Sequence, residues 1–331
     1  MIQASFPTPP AGWQSFNLGE IVRGWGASWV TIDLTIHAYA LCILTGIIIA
    51  LYITNRRLVA RGVEPWLVLD IMLLAIPLGI VGGRLYHVIT HPNDYFAGQD
   101  PMVILYVWQG GMAIFGALIL GAAGAYIGSR LVGVRFVTLL DAVAPGLAIA
   151  QACGRFGNWF NNELFGIPTD LPWGLPIDAS NPAYPLGLPA GTLFHPVFFY
   201  EAVWNLIGVF VLLAIDRRLD LQWGRHFSLY LIWYGVGRAT IETIRLDPSE
   251  TFAGIRVNVW ASFAAILLGA LLFYIQGRRH PGSEPSPYLD GRVWADPKTL
   301  DSNKTFTKAE LVSADGSQSK RRVATSGTRK R

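Results

Sequence analysis

Apolar residues in this chain gather into long runs, not into the alternation of a half-buried strand or the narrow stripe of a soluble helix. Seven runs, at 32–53, 67–89, 105–128, 136–153, 197–215, 227–244 and 257–275, are long enough, or nearly so, to cross about 30 Å of hydrocarbon. The pattern predicts an all-α membrane protein, a seven-transmembrane helical bundle. The fourth run is the weakest, being short and containing Asp141 and Pro145. Composition agrees: 331 residues, 52% hydrophobic and only 15% charged, exclude an ordinary soluble domain.

Loop charge sets an expected orientation. Arg56, Arg57 and Arg61 follow the first run, Arg130 and Arg135 the third, and Arg217, Arg218 and Arg225 the fifth, which assigns these loops to the cytoplasm. The alternate loops carry Asp94 and Asp100, Asp170 and Asp178, then Asp247 and Glu250. The N-terminus is expected outside and the C-terminus inside. Residues 1–31 lack the basic start and compact apolar core of a cleavable signal, and Ile21, Val22, Trp25 and Trp29 are spaced to lie at an outer interface.

From Arg278 onward the composition turns to Pro, Ser, Asp, Thr and Lys, with 12 basic against 6 acidic residues. Residues 278–331 are expected to form a disordered, basic cytoplasmic tail. That leaves a catalytic or transport body over 32–277 with an outer cap at about 154–196. Cys42 and Cys153, the only cysteines, give neither a disulfide framework nor metal-ligand spacing.

Polar chemistry inside the greasy segments narrows the function. Residues 154–166, Gly-Arg-Phe-Gly-Asn-Trp-Phe-Asn-Asn-Glu-Leu-Phe-Gly, concentrate Arg155, Asn158, Asn161 and Glu163 at the edge of a run. Near a bilayer such groups must pair or bind something. In the sixth run Tyr234, Arg238, Glu242 and Arg245, at spacings of four, four and three, stack on one helix face. Gly-Arg pairs recur at Gly83-Arg84, Gly154-Arg155 and Gly237-Arg238, where glycine allows close helix approach and the guanidinium suits a phosphate. His195, Tyr200 and Glu201 sit together at the outer start of the fifth run, and His37 and Tyr39 near the outer end of the first.

These motifs together resemble the prolipoprotein diacylglyceryl transferase family. The 154–166 segment is similar to its signature; His37-Ala38-Tyr39 resembles its His-Trp-Tyr, Gly82-Gly83-Arg84 its Gly-Gly-Arg, and Gln109-Gly110-Gly111-Met112 its Gly-Gly-Met element. His195-Pro196 with Tyr200-Glu201, and Tyr234, Arg238, Glu242 and Arg245, match its later blocks.

The resemblance implies a bacterial inner-membrane transferase. It would move the sn-1,2-diacylglyceryl group of phosphatidylglycerol to the lipobox cysteine of a prolipoprotein signal peptide, the first step of lipoprotein maturation, with no cofactor, no metal and no nucleic-acid partner. It further implies a catalytic set of Arg155, Arg238, Glu242, Tyr39 and His37. Phosphatidylglycerol would contact Arg155, Asn158, Asn161, Glu163, Arg84, Tyr234 and His195. Many relatives carry a histidine after the Gly-Gly-Met element; here Phe115 stands there and cannot accept a proton. The general base stays open among His37, His195, Tyr39, Glu242 and direct ionisation of the thiol. A transporter of small anions is the rival class, but the sequence lacks the repeated halves such proteins often show.

Overall fold

The computed structural model describes residues 5–26, 29, 31, 33–96, 101–107, 110–247, 249–292 and 294. The helices are α1 (Leu18–Gly24), α2 (Ala38–Ala60), α3 (Leu67–Thr90), α4 (Asn93–Phe96), α5 (Ile114–Val132), α6 (Phe136–Asn161), α7 (Val197–Leu219), α8 (Arg225–Glu242) and α9 (Val257–Arg279). Short antiparallel ribbons pair β1 (Ser15–Asn17) with β2 (Thr35–His37), β3 (Leu175–Pro176) with β4 (Leu193–Phe194), and β5 (Thr251–Phe252) with β6 (Ile255–Arg256). Six helices, α2, α3, α5, α6, α7 and α9, are long and apolar enough to cross a membrane. The sixth apolar run of the sequence forms α8, which carries Arg225, Arg238 and Glu242 and is not among those six.

Three boundaries differ from the sequence pattern. The third run predicts a start at 105, but α5 starts at Ile114, because Gly110 and Gly111 adopt φ of 91° and 70° and end the preceding turn. The first run predicts a start at 32, but α2 starts at Ala38, since Thr35–His37 pairs as a strand with Ser15–Asn17. His37 therefore precedes the helix and Tyr39 is its second residue. The fourth run, expected to stop at 153, continues as α6 to Asn161. Arg155, Asn158 and Asn161 are thus helical, and the connector begins at Asn162, whose φ is 51°. The low helix propensities of Gly157 and Asn158 are outweighed by the tertiary partners these residues find.

Contacts divide the chain into two units, Met1–Thr54 with Leu140–Ser283, and Asn55–Leu139 with Glu284–Arg331. In the second, α3 packs along α5 through small residues. A Cβ on Gly82 would collide with the Gly116 carbonyl oxygen, and one on Gly116 with that of Gly82, so only glycine admits this spacing.

The second unit also includes the first residues of the tail, around Tyr288. Tyr288 bridges Val134 and is buried; its hydroxyl accepts the Glu64 N–H at 2.9 Å. Arg135 donates to the Tyr288 carbonyl at 2.9 Å and pairs with Asp290 at 3.1 Å. One buried aromatic and these backbone partners hold Pro287–Leu289, whose N–H and C=O groups bond Gly133 and Arg135. The tail beyond 294 lies outside the described residues.

In the first unit, Ala144 and Ala148 of α6, Val209 and Leu212 of α7 and Tyr230 of α8 form one core. Asp141, the carboxylate that makes the fourth run look weak, caps α8: it accepts the Gly224 N–H at 2.7 Å and the Phe227 N–H at 2.9 Å. Pro145 has no N–H to give the Asp141 carbonyl, and His226 Nδ1 occupies that oxygen at 3.0 Å. The two residues that break the apolar pattern therefore fasten α6 to α8. The connector after Asn162 folds on its own aromatic core, Phe165, Leu175, Ile177, Phe194 and Phe198, with Phe6 and Trp159 against it.

Candidate functional site

Two tryptophans set how α7 meets α8. The Trp204 and Trp233 rings stack at 4.5 Å, and each indole N–H donates to the other's carbonyl at 3.2 Å. Trp204 fills the space above Gly237, where any Cβ would collide with its indole nitrogen. This register turns Glu201 of α7 toward Arg238 of α8.

Glu201 is the hub of an ion-pair network. Its Oε1 receives Arg238 Nη1 at 3.0 Å and Arg245 Nη1 at 3.2 Å, while Oε2 pairs with Arg155 Nε. Glu242, fully buried, pairs with Arg238 at 2.9 Å and Arg256 at 3.2 Å and accepts from Asn258 at 3.0 Å. Asp247 takes Arg245 through both oxygens, at 2.7 and 2.9 Å. Burial works to raise the Asp247 carboxyl, but the hydrogen bonds and charge of Arg245, with Arg256 behind them, hold it below the usual carboxylate range. Arg245 in turn is pushed up: burial opposes its charge, and Asp247, Glu201 and Glu242 outweigh that.

Among the described residues this network joins four arginines (155, 238, 245 and 256) to three carboxylates (201, 242 and 247), leaving one positive charge in excess. Arg155 is its open end. Its side chain is 24% exposed against 4% for Arg245, its Nη1 meets Asn158 Oδ1 at 3.4 Å, and its Nη2 has no partner among the described residues. Asn158 and Asn161 both donate to Glu163 Oε1, at 2.9 and 3.3 Å, closing a polar rim around Arg155. Gly157 presses against the Tyr39 ring, where a Cβ would fall 2.5 Å from Cδ2, and Tyr39 lies within electrostatic reach of Arg155 and Glu163. Tyr234 lines a small cavity with Arg155, Glu201 and Arg238. Beside the site, Ala38, Leu41, Cys42, Thr45, Cys153, Phe156 and Phe160 line an apolar cavity of about 320 Å³.

The structure thus gathers Arg155, Arg238, Glu242, Asn158, Asn161, Glu163, Tyr39 and Tyr234 in one unit. Three other expected residues have partners or surroundings of their own. Arg84 is buried and directs its N–H groups to backbone carbonyls: Nε to Ile104 at 2.8 Å, Nη1 to Gly110 and Gly111 at 2.5 and 3.1 Å, Nη2 to Val103 and Tyr106 at 2.5 and 3.4 Å. A guanidinium so occupied pins a loop and has no donors left for a phosphate. His195 pairs with Tyr200 at 3.1 Å, whose hydroxyl accepts from Trp173. His37 is exposed on β2. Of the three Gly-Arg pairs, only Gly237 is tightly packed as expected; Gly83 has modest clearance and Gly154 faces open space. Phe115 packs against Tyr86, and Gln109 lies outside the described residues.

Known proteins carry the same pattern. The family model for prolipoprotein diacylglyceryl transferase matches residues 28–275. The chain belongs to that family. A protein of Leifsonia xyli subsp. xyli named phosphatidylglycerol--prolipoprotein diacylglyceryl transferase is 52% identical over 320 residues, covering 94% of this chain and 92% of the relative. A Streptomyces coelicolor protein named phosphatidylglycerol--prolipoprotein diacylglyceryl transferase 2 is 44% identical over 295 residues, 88% and 91% of the two chains. One of the same name without the numeral, from Bifidobacterium adolescentis, is 40% identical over 307 residues, 86% and 91%. With six spanning-length helices and bacterial relatives throughout, this diacylglyceryl transferase family member is a multi-pass membrane protein.

Some of the site is invisible to sequence pattern. Glu201 stands in the sequence only as a member of a block before the fifth run, yet it links three arginines. Its partners lie 46, 37 and 44 residues away, so no local spacing marks it. Arg256 and Asn258, which hold Glu242, give no signal at all.

Proposed function

We propose that this chain transfers the sn-1,2-diacylglyceryl group of phosphatidylglycerol to the cysteine thiol of a prolipoprotein. The observation that carries the proposal is a polar site borne on spanning-length helices, at whose open end Arg155 presents an Nη2 without a partner among the described residues. An anionic phosphodiester pairs with that guanidinium, and the apolar cavity along α2 and α6 accepts an acyl chain.

In the reaction, the thiolate sulfur attacks C3 of the diacylglycerol moiety and forms the carbon–sulfur bond. The bond from C3 to the phosphate oxygen breaks, and glycerol phosphate leaves with the electron pair. Arg155 holds the phosphate and, with Arg238 behind it, stabilises the charge that grows on the leaving oxygen. Glu201 and Glu242 fix the direction of both guanidiniums before substrate arrives, so no rearrangement is needed at the moment of transfer. Asn158, Asn161 and Glu163 orient head-group oxygens at the rim, and Tyr234 bounds the site on the α8 side. Arg84 and His195 serve the scaffold, outside the lipid contact.

Proton removal from the thiol is distributed among Tyr39, His37 and direct ionisation, a thiol near guanidiniums ionising below its usual value of about 8.5. Glu242, ion-paired to Arg238, Arg245 and Arg256, is a positioning carboxylate and a poor base.

In the membrane, α8 serves as a seventh span, shielded by its neighbours. Residues 1–31 and the connector from Asn162 to Pro196 lie on the outer side, the arginine-rich loops and the C-terminus on the cytoplasmic side. The catalytic body then runs from about 32 to 277. Purified protein given head-labelled phosphatidylglycerol and a lipobox peptide should release labelled glycerol phosphate in step with peptide lipidation. Release without lipidation would point to a lipase, and no release would end the proposal.

A further inference from the structure

Gln151 stands one turn before Arg155 on the same face of α6. Its side chain meets the Tyr230 hydroxyl, and its Oε1 is buried with no hydrogen-bond partner among the described residues. Gln151 also lines a void of about 20 Å³, together with Arg155, Glu201, Tyr234 and Arg238. A space of this size holds one water-sized group. Buried acceptors are rarely left without a donor, so an orphan carbonyl on a residue that lines such a space points to something that arrives with the ligand.

The void shares two of its walls with the arginines assigned to the lipid phosphate. Whatever enters it must be small, must donate a hydrogen bond, and must be attached within a few bonds of that phosphate. A hydroxyl on the head-group alcohol meets all three conditions. An ammonium also donates, but beside two guanidiniums and a single carboxylate it would sit in net positive surroundings, and an alkyl terminus would leave Gln151 Oε1 unpaired.

We infer that Gln151 is a specificity-determining residue, accepting a hydrogen bond from a hydroxyl of the donor's glycerol head while Arg155 and Arg238 hold the phosphate. It rests on the transfer reading above and adds to it the basis for choosing a glycerol head. A site built to pair with a hydroxyl rejects the analogue that lacks it far more strongly than an apolar pocket rejects a changed shape.

The test compares phosphatidylglycerol with phosphatidylpropanol, which keeps the phosphate and the three-carbon head but has no hydroxyl, in the full-length protein with a lipobox peptide. Wild-type protein should favour phosphatidylglycerol by at least about tenfold in kcat/KM. Gln151→Leu, and Gln151→Met as a closer shape match that guards against misfolding, should bring the ratio to within about twofold of one, by slowing phosphatidylglycerol alone. An unchanged ratio in the Met variant, or an equal loss on both lipids, overturns the role of Gln151. Equal use of both lipids by the wild type overturns it too, whereas transfer from neither overturns the assigned activity itself.

Discussion

Glu201 Oε1 on α7 lies 3.0 Å from Arg238 Nη1 on α8, and the same carboxylate reaches Arg155 and Arg245. Its side chain is 6% exposed, so three guanidiniums depend on one desolvated charge. Removing one partner of a buried pair leaves the others uncompensated, at a cost of about 3–5 kcal/mol. Glu201→Gln should therefore lower thermal stability and reduce transfer at least about a hundredfold, a barrier change of roughly 2.7 kcal/mol. A variant that melts like wild type and keeps its rate would remove Glu201 from the centre of the site.

Arg84 gives the opposite expectation. Its N–H groups go to the carbonyls of residues 103–111, and its guanidinium lies 5.0 Å from the Tyr95 ring centroid. Arg84→Lys replaces a planar fork by a point charge with three donors, which cannot serve carbonyls spread around five N–H directions. Limited proteolysis should cut the 101–111 segment faster in the variant, while the KM for phosphatidylglycerol stays within about twofold, because the N–H groups of Arg84 are already taken by backbone carbonyls. A large rise in KM with unchanged proteolysis would restore a phosphate role to it.

The apolar runs make the membrane character and helix order plain, since run length is a local property. Helix ends are less legible. The stretch from Gly154 to Asn161 has the composition of a loop and becomes the last turns of α6, because Arg155 and Asn158 gain partners on α7 and the connector. Arg155, Arg238 and Glu242 stand out as charges in apolar sequence. Glu201 does not, and neither does Gln151, an uncharged amide whose meaning lies in having no partner.

The start of the tail has a solvated composition, with Pro, Ser and Gly throughout. Tyr288 shows why composition misleads there: one aromatic ring, 7% exposed, with hydrogen bonds to Glu64 and Arg135, holds a polar segment in place. Truncation after residue 294 should leave both melting temperature and activity as they are. Truncation before Glu284, or Tyr288→Ala, should destabilise the protein by about 3 kcal/mol, the range for emptying a buried aromatic site. Equal melting curves for the two truncations would show that the Tyr288 contact contributes nothing.

Asp247 sets an acid limit. Its folded pKa lies below the unfolded value of about 3.9, so its contribution is fully present above that pH and is lost as pH falls through the folded value. Thermal unfolding followed from pH 6 downward should show wild type losing stability in the acid range more steeply than Asp247→Asn, which lacks that titration. Parallel curves would mean that the Arg245 pairing does not reach the folding equilibrium.

The most direct test of the account is single-turnover transfer by Arg155→Ala in nanodiscs containing phosphatidylglycerol, with a lipobox peptide in excess and membrane insertion checked in parallel. The account expects an inserted, stable protein whose transfer rate falls by at least about a thousandfold, as for loss of a group that stabilises charge in the transition state. Transfer at the wild-type rate by the inserted variant would contradict it.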